Sequence, residues 1–590
     1  MARLKLRVKL DAETGDGESK SPRTEKARAK PEHDVPVNQG DPLVRGRLAD
    51  AGAVLSGILY FVAFAGFDQW WLTFVCLVPL YVSLFGQTTK RCVWLCFLTG
   101  LAMNLGGFYW LLNMLKVFSG FPTALCLLFV VIICAYQALR LAFMGWLFGR
   151  AQQRGWPVPL VFASSFAVSE LVFPLLFPWY YAATVHNVPV LMQTAELGGP
   201  ILVGLVLVAV NMAVAEPLRA RLEAAAQRGA LVFAAPTAYR GSPVTEERVL
   251  EPLDRRLIGV GVLALIGATL FGAVRISMVK STVEKAEAVR VGYVQGNMGL
   301  MAKREQPGEG LRRHIKLTQE LRDKGVDLVV WSESSVSFSV PEEMGMKTPF
   351  YRDRFAGRLG VPIIFGAVLF RTDPDRERWF NTAIATNAKG EVTGRYDKQY
   401  LLAFGEYLPF GDDFPIMYKW SPHSGRFSKG SSLEPVELDV KGVKHKVSVL
   451  ICYEDILPSF TNRMVAQADP ELLVNITNDA WFGDTTEPWE HLALAKFRAI
   501  EHRRFLVRST NSGVSAIVDP MGGVVSHTKT FVAEAQEGTV RWMRGTTVYE
   551  VVGDIPWWLL ALGAAYACFA RVPQRLARKV DRSRSTGAAV

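Results

Sequence analysis

Cys452 is the residue of this 590-residue chain whose surroundings point most clearly to chemistry. It follows the β-rich run Val447–Ile451 and precedes Tyr453, Glu454 and Asp455. A cysteine reacts as its thiolate, and charged neighbours control how readily that form appears. Position alone allows either a nucleophile or a thiol buried in a core, and the charged neighbours favour the nucleophile.

No second cysteine lies in the same part of the chain. The others all fall in apolar stretches, at Cys76, Cys92, Cys96, Cys126, Cys134 and Cys568. A single thiol cannot form a disulfide within its own domain, and the sequence has neither a CxxC pair nor a His/Cys cluster with metal-ligand spacing. The sequence therefore predicts no metal and no cofactor.

Residues 286–545, which surround Cys452, have the pattern of a layered α/β domain. Predicted strands are Val289–Gln295, Asp327–Trp331, Pro362–Phe370, Asn381–Thr386, Lys446–Cys452, Leu472–Thr477, Phe505–Thr510 and Val514–Asp519. Helical patterns occur at Gly308–Lys324 and Glu490–Arg503, and turn residues at Asn387–Gly390 and Asp519–Gly523 predict hairpins. With about 260 residues, the segment is long enough to bury its own core.

The rest of the chain is strongly apolar. Hydrophobic residues make up 50% of the sequence and the mean hydropathy is +0.17, which excludes a disordered, collagen-like or disulfide-stapled protein. Long uncharged stretches occur at Ala51–Phe67, Trp70–Phe85, Cys92–Leu115, Val117–Leu139, Leu171–Ala195 (approached from Pro157), Leu197–Ala215, Leu257–Val274 and Ile555–Ala570. Because about 20 apolar residues cross a bilayer as a helix, we predict eight membrane spans.

Lysine and arginine are concentrated in alternate connections between these stretches. One set carries Lys90 and Arg91, Arg150 and Arg154, and the arginines from Arg219 to Arg256, whereas the opposite set carries almost none. The positive-inside rule then places both termini in the cytoplasm and the α/β domain outside. The net charge of +11 indicates anchoring to the inner leaflet rather than binding to nucleic acid.

These patterns divide the chain into consecutive parts. Residues 1–48 are predicted to be a disordered cytoplasmic extension and 49–278 to form seven transmembrane helices. Residues 279–550 are predicted to be the periplasmic catalytic domain, 551–572 the eighth transmembrane helix, and 573–590 a basic cytoplasmic tail.

Short motifs in the α/β domain carry a family resemblance. They are Val330-Trp331-Ser332-Glu333-Ser334, Arg395-Tyr396-Asp397-Lys398, Phe404-Gly405-Glu406-Tyr407-Leu408-Pro409, Leu450-Ile451-Cys452-Tyr453-Glu454 and Asn475-Ile476-Thr477-Asn478-Asp479-Ala480-Trp481-Phe482-Gly483, in that order. The set resembles the nitrilase, or carbon–nitrogen hydrolase, superfamily. With such a domain before the last of eight spans, residues 49–572 resemble its membrane-bound branch, the apolipoprotein N-acyltransferase family. The resemblance implies an eight-span α-helical membrane domain plus an extracytoplasmic nitrilase-like domain, an αββα sandwich.

The resemblance further implies a catalytic triad of Glu333, Lys398 and Cys452. Glu333 would accept the thiol proton as general base. Lys398 would favour the thiolate and stabilise the tetrahedral oxyanion, together with the backbone N–H of Tyr453. The plain alternative is a surface ion pair between Glu333 and Lys398, which would contribute little stability.

Other residues near these motifs are candidates for supporting roles. The resemblance implies that Glu406 orients the lysine or polarises the site. Glu454 would hold the incoming amine or the lysine, with a structural carboxylate as the alternative, and Tyr453 would shape the acyl site or simply pack. The apolar segments Val336–Pro341 and Phe414–Trp420 are predicted to be arms that touch the bilayer, with ordinary core packing as the alternative.

The function that the resemblance implies is acyl transfer in lipoprotein maturation. An acyl chain would pass from a phospholipid, through a cysteine thioester, to the N-terminal α-amine of a diacylglyceryl-cysteine apolipoprotein. The implied partners are the phospholipid donor, the apolipoprotein acceptor and the bilayer, with no nucleic acid and a monomeric state. The implied location is the bacterial inner membrane, with the catalytic domain in the periplasm.

Two other functions stay open on the sequence. One is a membrane-tethered amidase or nitrilase that acts on a soluble amide. The other is a transporter that works through Glu170 and Glu196, because charges at membrane depth are costly and usually functional. Arg140 is predicted to be a side chain that snorkels from a helix end. One departure from the family is Ala302-Lys303-Arg304, where a tryptophan is common about seven residues after Asn297.

Overall fold

The computed structural model describes residues 42–227, 253–299, 306–347, 349–374, 376–403, 405–420 and 425–573. The predicted N-terminal extension up to residue 41, the tail after residue 573 and the Ala302-Lys303-Arg304 departure lie outside the described residues.

The first half of the described chain is helical. Its helices are α1 (Gly46–Val62), α2 (Val78–Leu84), α3 (Thr89–Gly107), α4 (Leu111–Ser119), α5 (Thr123–Gln152), α6 (Val158–Val172), α7 (Pro189–Met192), α8 (Ala195–Gln227) and α9 (Arg255–Lys285). Within the described ranges, three helices are long and apolar enough to cross a membrane, namely α5, α8 and α9. Helices α3 and α4, bent by 60° at a short break, would make a fourth span together.

The fifth predicted span is wrong in its bounds. Helix α6 ends at Val172, and residues 173–194 form a 3₁₀ turn at Tyr181–Val185 and the single turn of α7 rather than a continuous helix. Pro174 and Pro178 explain the interruption, because a proline removes a backbone donor and disfavours helical geometry in the residue before it. The helix of this region is therefore Val158–Val172, a shorter apolar helix.

The two acids predicted at membrane depth, Glu170 and Glu196, are buried and paired with arginines. Arg140 lies in the interior of α5, 1% exposed, with its Nη1 atom 3.4 Å from Oε1 of Glu170. The prediction of a snorkelling helix end is therefore wrong for Arg140. Glu196 is also buried, with Oε1 2.6 Å from Nη2 of Arg275 and Oε2 2.9 Å from Nε of Arg503. Both acids are held by arginines, which gives each an evident structural role.

The second half of the described chain contains thirteen strands in two sheets. The strands are β1 (Ala288–Gln295), β2 (Leu328–Trp331), β3 (Ser339–Pro341), β4 (Ile363–Thr372), β5 (Glu377–Thr386), β6 (Val392–Asp397), β7 (Val436–Val440), β8 (Val443–Ile451), β9 (Leu472–Thr477), β10 (Leu506–Thr510), β11 (Ala516–Val518), β12 (Val524–His527) and β13 (Glu534–Arg541). One sheet has the order β13-β1-β2-β4-β5-β6, with β3 paired to β4, and the other has the order β12-β11-β10-β9-β8-β7.

Further helices accompany these strands. They are α10 (Pro307–Asp323), α11 (Glu342–Gly345), α12 (Pro349–Arg354), α13 (Ile416–Trp420), α14 (Pro458–Ala468), α15 (Glu487–His502), α16 (Val548–Val552) and the apolar α17 (Ile555–Phe569). All eight predicted strands, both predicted helices and both hairpins are confirmed, whereas β3, β6, β7, β12, β13 and α14 were not predicted.

The domain has four layers, with a core between the two sheets. Val291, Val330 and Ala383 of the first sheet pack in one buried cluster with Val449 and Val474 of the second. Residues of α10 pack on the outer face of the first sheet, and α14 and α15 pack on the outer face of the second. The C-terminal half is thus an αββα sandwich, because each sheet buries one face against the other and one against helices.

Strand direction brings the candidate chemistry to one edge. Strands β1, β2 and β4 are parallel, and so are β8, β9 and β10. Glu333 follows the end of β2, Cys452 follows the end of β8, and Lys398 follows the end of β6. Ligands and catalytic groups in α/β sheets collect at such strand ends.

Of the two apolar segments predicted as arms, one is largely buried and the other has exposed apolar side chains. Val336 and Val340 are at most 1% exposed, and β3 pairs with β4, so Val336–Pro341 belongs to the core and its prediction as an arm is wrong. Phe414 and Ile416 are 60% and 52% exposed, as an arm requires.

A close helix contact gives a stability prediction. A Cβ at Gly272 of α9 would lie 1.9 Å from the carbonyl oxygen of Val190, whereas a Cβ at Gly267 of the same helix would meet nothing within 4 Å. Gly272→Ala should therefore force the backbones apart and cost about 1–3 kcal/mol of stability. Thermal unfolding of the purified protein in neutral detergent measures the effect. Gly267→Ala is the matched control, and equal melting temperatures for the two variants would contradict this packing.

Candidate active site

Cys452 occupies a tight turn between β8 and a 3₁₀ helix, Cys452–Ile456. Its φ angle is 53°, a left-handed conformation that costs a non-glycine residue about 1–2 kcal/mol. The turn is held by Asn475, whose Nδ2 donates to the Cys452 carbonyl oxygen at 3.1 Å. Cys452 is half-buried, whereas the other cysteines are all buried. The backbone therefore adopts a strained conformation at Cys452, and the thiol of this residue is only half-buried.

Lys398 lies beside two carboxylates. Its Nζ atom is 2.7 Å from Oε2 of Glu406 and 3.9 Å from Oε1 of Glu333, and the side chain is 1% exposed. Burial lowers the pKa of Lys398, but the negative charges of Glu406 and Glu333 outweigh it, so the pKa is raised. The site therefore contains a permanent ammonium group, and Glu406 is its nearer partner.

Asn381, which the sequence analysis missed, joins the two acids. Its side-chain Nδ2 donates to Oε1 of Glu333 at 2.6 Å and to Oε1 of Glu406 at 2.9 Å. Its backbone carbonyl accepts from the backbone N–H of Lys398 at 2.9 Å. An asparagine within a strand gives no chemical signal in one sequence, but its position on β5 opposite the end of β6 places it among three charged groups.

The resting thiol is protonated at neutral pH. Burial raises the pKa of Cys452, and the Glu333 charge raises it further. The Lys398 charge and a hydrogen bond with Thr477 lower the pKa of the thiol, but not enough to offset these causes. The charges of Glu333 and Lys398 both affect the pKa of the thiol, and Oε1 of Glu333 lies 3.9 Å from Nζ of Lys398, so the structure brings Glu333, Lys398 and Cys452 into one cluster. Reaction therefore needs a base that removes the proton as the sulfur attacks.

Glu454 is a fully buried structural carboxylate in this structure. Its carboxylate accepts hydrogen bonds from the backbone N–H groups of Ile451 at 2.8 Å, Gln399 at 2.7 Å and Tyr400 at 2.9 Å. It also accepts one from the Tyr396 hydroxyl at 3.0 Å. Burial raises the pKa of Glu454 to about 7, although these donors and Lys398 lower it in part. Its bonds tie the strand before Cys452 to the segment after Lys398, which fixes the distance between the two.

A buried ionic network holds Asp455, in the 3₁₀ helix that begins at Cys452. Nη1 of Arg508 lies 2.7 Å from Oδ2 of Asp455, and Nη2 of Arg508 lies 3.0 Å from Oδ2 of Asp479. Nε2 of His491 lies 2.8 Å from Oδ1 of Asp455, and its Nδ1 lies 3.2 Å from Oδ1 of Asp479. Burial lowers the pKa of His491, but the two aspartates raise it to about 10. Asp479, Glu487 and His491 have ligand atoms within 4.8 Å of one another, but all three already take part in ion pairs.

The thiol lies at the junction with the helical half. Tyr453 donates its hydroxyl to the carbonyl oxygen of Leu176, in the irregular segment after α6, and its ring stacks on Tyr400 with centroids 6.1 Å apart. A second junction contact joins Nε1 of Trp110 to Oε2 of Glu490 at 3.2 Å. Cys452 therefore lies next to the contact between the helical half and the sandwich.

Comparison with known proteins follows this division of the chain. Residues 56–213 match the family described as Apolipoprotein N-acyltransferase N-terminal domain, and residues 290–540 match Carbon-nitrogen hydrolase. An apolipoprotein N-acyltransferase of Geobacter metallireducens is 27% identical over 87% of this chain and 93% of its own length. The one of Ralstonia nicotianae is 29% identical over 89% and 92%. Among solved structures, an amidase from Nesterenkonia sp. is 19% identical, covering 43% of this chain and 89% of that one with a TM-score of 0.30.

The two matched regions coincide with the helical half and the sandwich, and the curated relatives match across both of them. The chain therefore belongs to the apolipoprotein N-acyltransferase family, which joins a helical membrane domain to a carbon–nitrogen hydrolase domain.

Proposed function

We propose that this protein transfers an acyl chain from a phospholipid to the N-terminal α-amine of a diacylglyceryl-cysteine apolipoprotein, through a thioester on Cys452. The observation that carries the proposal is the position of the thiol. It lies beside Glu333 and Lys398, and the next residue, Tyr453, is bonded to the Leu176 carbonyl of the helical half. A cysteine with an adjacent base and a fixed cation suits acyl transfer, and the neighbouring helices suit a lipid substrate.

In the first step the Cys452 sulfur attacks the ester carbonyl at sn-1 of the phospholipid, while Glu333 takes the thiol proton. The carbonyl oxygen becomes an oxyanion, which the Lys398 ammonium and the backbone N–H of Tyr453 stabilise. Collapse breaks the ester C–O bond, and the departing glycerol oxygen takes the proton from Glu333. The products are a lysophospholipid and the thioester on Cys452.

In the second step the α-amine attacks the thioester carbonyl and gives its proton to Glu333. The C–S bond breaks, the sulfur takes that proton back from Glu333, and the amide product leaves. Splitting the transfer in this way lets one thiol serve two bulky lipids that never occupy the site together. Glu406 keeps the ammonium in place through both steps, since it holds Lys398 at 2.7 Å.

The proposal includes the membrane arrangement. The protein would cross the bacterial inner membrane eight times, with residues 279–550 in the periplasm. The distribution of lysine and arginine supports this orientation. Phe410, Phe414 and Ile416 support contact between the sandwich and the lipid, because these apolar side chains are 70%, 60% and 52% exposed in one segment.

Cys452→Ala should abolish the reaction. With no sulfur there is no thioester, and N-acylation of a diacylglyceryl lipopeptide should fall at least about 10³-fold. The assay is mass spectrometry of the lipopeptide after incubation with the full-length enzyme and phospholipid. Cys134→Ala is the matched control, because Cys134 is buried in α5 away from the site, and it should keep near-normal activity. Near-normal N-acylation by Cys452→Ala would refute the mechanism.

Glu333→Gln should have opposite effects on two reactions of Cys452. The Glu333 charge raises the pKa of the thiol, so its removal lowers that pKa and increases the thiolate fraction at a fixed pH below it. Alkylation of Cys452 by iodoacetamide near pH 8 should therefore become several-fold faster, read by peptide mass spectrometry. Acyl transfer should fall by about 10²–10⁴-fold, because the general base is lost.

The control for this experiment is Glu309→Gln, a partly exposed acid in the first turn of α10 that pairs with Arg312 and Arg313 and should change neither rate. Slower alkylation in Glu333→Gln would contradict the electrostatic account of the thiol.

Asn381→Leu tests the link between the two acids. Loss of the amide leaves Glu333 and Glu406 without their shared donor, so both carboxylates and Lys398 shift from their positions. We expect kcat to fall by roughly 10²-fold with little change in KM, because misplaced groups slow the chemical step. Steady-state kinetics with varied phospholipid measures both constants. A change confined to KM would show that Asn381 contacts substrate instead of positioning the acids.

A further inference from the structure

A cavity of about 160 Å³ opens beside Tyr453, at the junction of the two halves of the protein. Its lining includes Leu175, Leu176, Leu401, Leu402, Tyr453 and Lys429. Lys429 is the one charged residue in the described lining, and the remaining walls are apolar or aromatic. This volume is below the ~300–1,000 Å³ of sites that enclose a whole small molecule, so the cavity fits part of a lipid rather than a complete one.

The backbone of Lys429 is held firmly against the catalytic cluster. The N–H of Gly430 donates to the Lys398 carbonyl at 2.9 Å, and the N–H of Ser428 donates to the Trp379 carbonyl at 2.7 Å. A Cβ at Gly430 would lie 2.2 Å from the Asp397 carbonyl oxygen, so the contact allows only glycine there. The backbone at Lys429 is therefore fixed in position, because the next residue, Gly430, is hydrogen-bonded to the backbone of Lys398.

The charge of Lys429 is available for a ligand. The side chain is exposed, and among the described parts of the chain no acid forms an ion pair with it. A second cavity, of about 360 Å³, shares Lys429 and contains Arg371, Arg378 and Arg395. These arginines are already paired with acids.

Two distances show the pairing in the second cavity. Nη1 of Arg395 lies 2.7 Å from Oε1 of Glu342, and Nε of Arg371 lies 2.7 Å from Oδ1 of Asp373. Lys429 lines both cavities and, unlike these arginines, is not paired with an acid among the described residues. An anion bound in either cavity would therefore pair with Lys429.

We propose that Lys429 binds the phosphate diester of the acyl-donor phospholipid and so selects phospholipids over uncharged acylglycerols. The inference rests on the proposed function and adds the residue that recognises the donor. The apolar walls accept the part of the lipid next to the ester, while the ammonium pairs with the phosphate oxygens as a point charge. Held in this way, the glycerol backbone lies next to Tyr453 and places its ester beside Cys452.

The test compares two donors with identical acyl chains, phosphatidylglycerol and diacylglycerol, in micelles of a neutral maltoside detergent. The readout is the rate at which the full-length enzyme gains an acyl mass on Cys452. Lys429→Ala should slow acylation by phosphatidylglycerol roughly tenfold and leave the rate with diacylglycerol unchanged, because only the first donor carries a phosphate. Lys429→Arg should restore most of the rate with phosphatidylglycerol. Lys389→Ala, which removes an exposed lysine from the hairpin between β5 and β6, should behave as wild type.

Several results would overturn the inference. One is an equal effect of Lys429→Ala on both donors, and another is no effect on either. A third is inhibition by inorganic phosphate that Lys429→Ala removes while donor discrimination stays intact, which would assign the cavity to a free anion. Failure of the wild type to form any acyl adduct with phosphatidylglycerol would instead refute the proposed function itself.

Discussion

The catalytic half is organised around one buried ammonium group. Lys398 lies between Glu406 and Glu333 and next to the Cys452 thiol, in a position almost closed to water. Two carboxylates and a developing thiolate cannot share such a site without a cation, because an unpaired charge out of water costs several kcal/mol. The geometry follows from that requirement. Asn381 holds the acids together, and Glu454 ties the segment after Lys398 to the strand before Cys452.

The same cluster explains why the thiol is unreactive at rest. Burial and the Glu333 charge raise the pKa of Cys452, so the sulfur keeps its proton until a substrate is in place. The Lys398 charge lowers the pKa of Cys452, but it does not offset the effects of burial and Glu333. Lys398 stabilises the transition state more strongly, when negative charge develops on the substrate oxygen. A thiol of this kind resists unwanted alkylation and oxidation, which depend on the exposed thiolate.

Hydrogen bonds and ion pairs join the helical half to the sandwich. Glu196 of α8 binds Arg503 at the end of α15, and Trp110 binds Glu490 of the same helix. The Lys496 ammonium of α15 donates to the His186 carbonyl, and Tyr453 donates to Leu176. Residues of the 3₁₀ helix that begins with Cys452 and residues of α15 thus both depend on the helical half. The geometry at the thiol is therefore sensitive to the position of the membrane helices.

Much of this arrangement could be predicted from the sequence, and the failures have physical causes. Glu333 follows a predicted strand and Cys452 ends one, and strand ends meet at a sheet edge, so their proximity could be inferred. Lys398 follows β6, which was not predicted, and its place beside them came from the family resemblance. Asn381 gave no signal, because its role arises only when β5 and β6 pair and place it opposite Lys398.

The fifth span and the first arm failed for different reasons. Pro174 and Pro178 break the helix that uniform apolarity suggested for Leu171–Ala195. Val336–Pro341 is apolar because it lies in the core beside β4, and composition cannot separate a buried strand from a membrane-facing arm.

The most direct test is the intact mass of the purified full-length protein after incubation with phospholipid alone, without any amine acceptor. The account predicts one added acyl mass on Cys452, removed by hydroxylamine, with one lysophospholipid released for each adduct. An acyl mass on another residue, or hydrolysis of phospholipid with no adduct at any time, would contradict it.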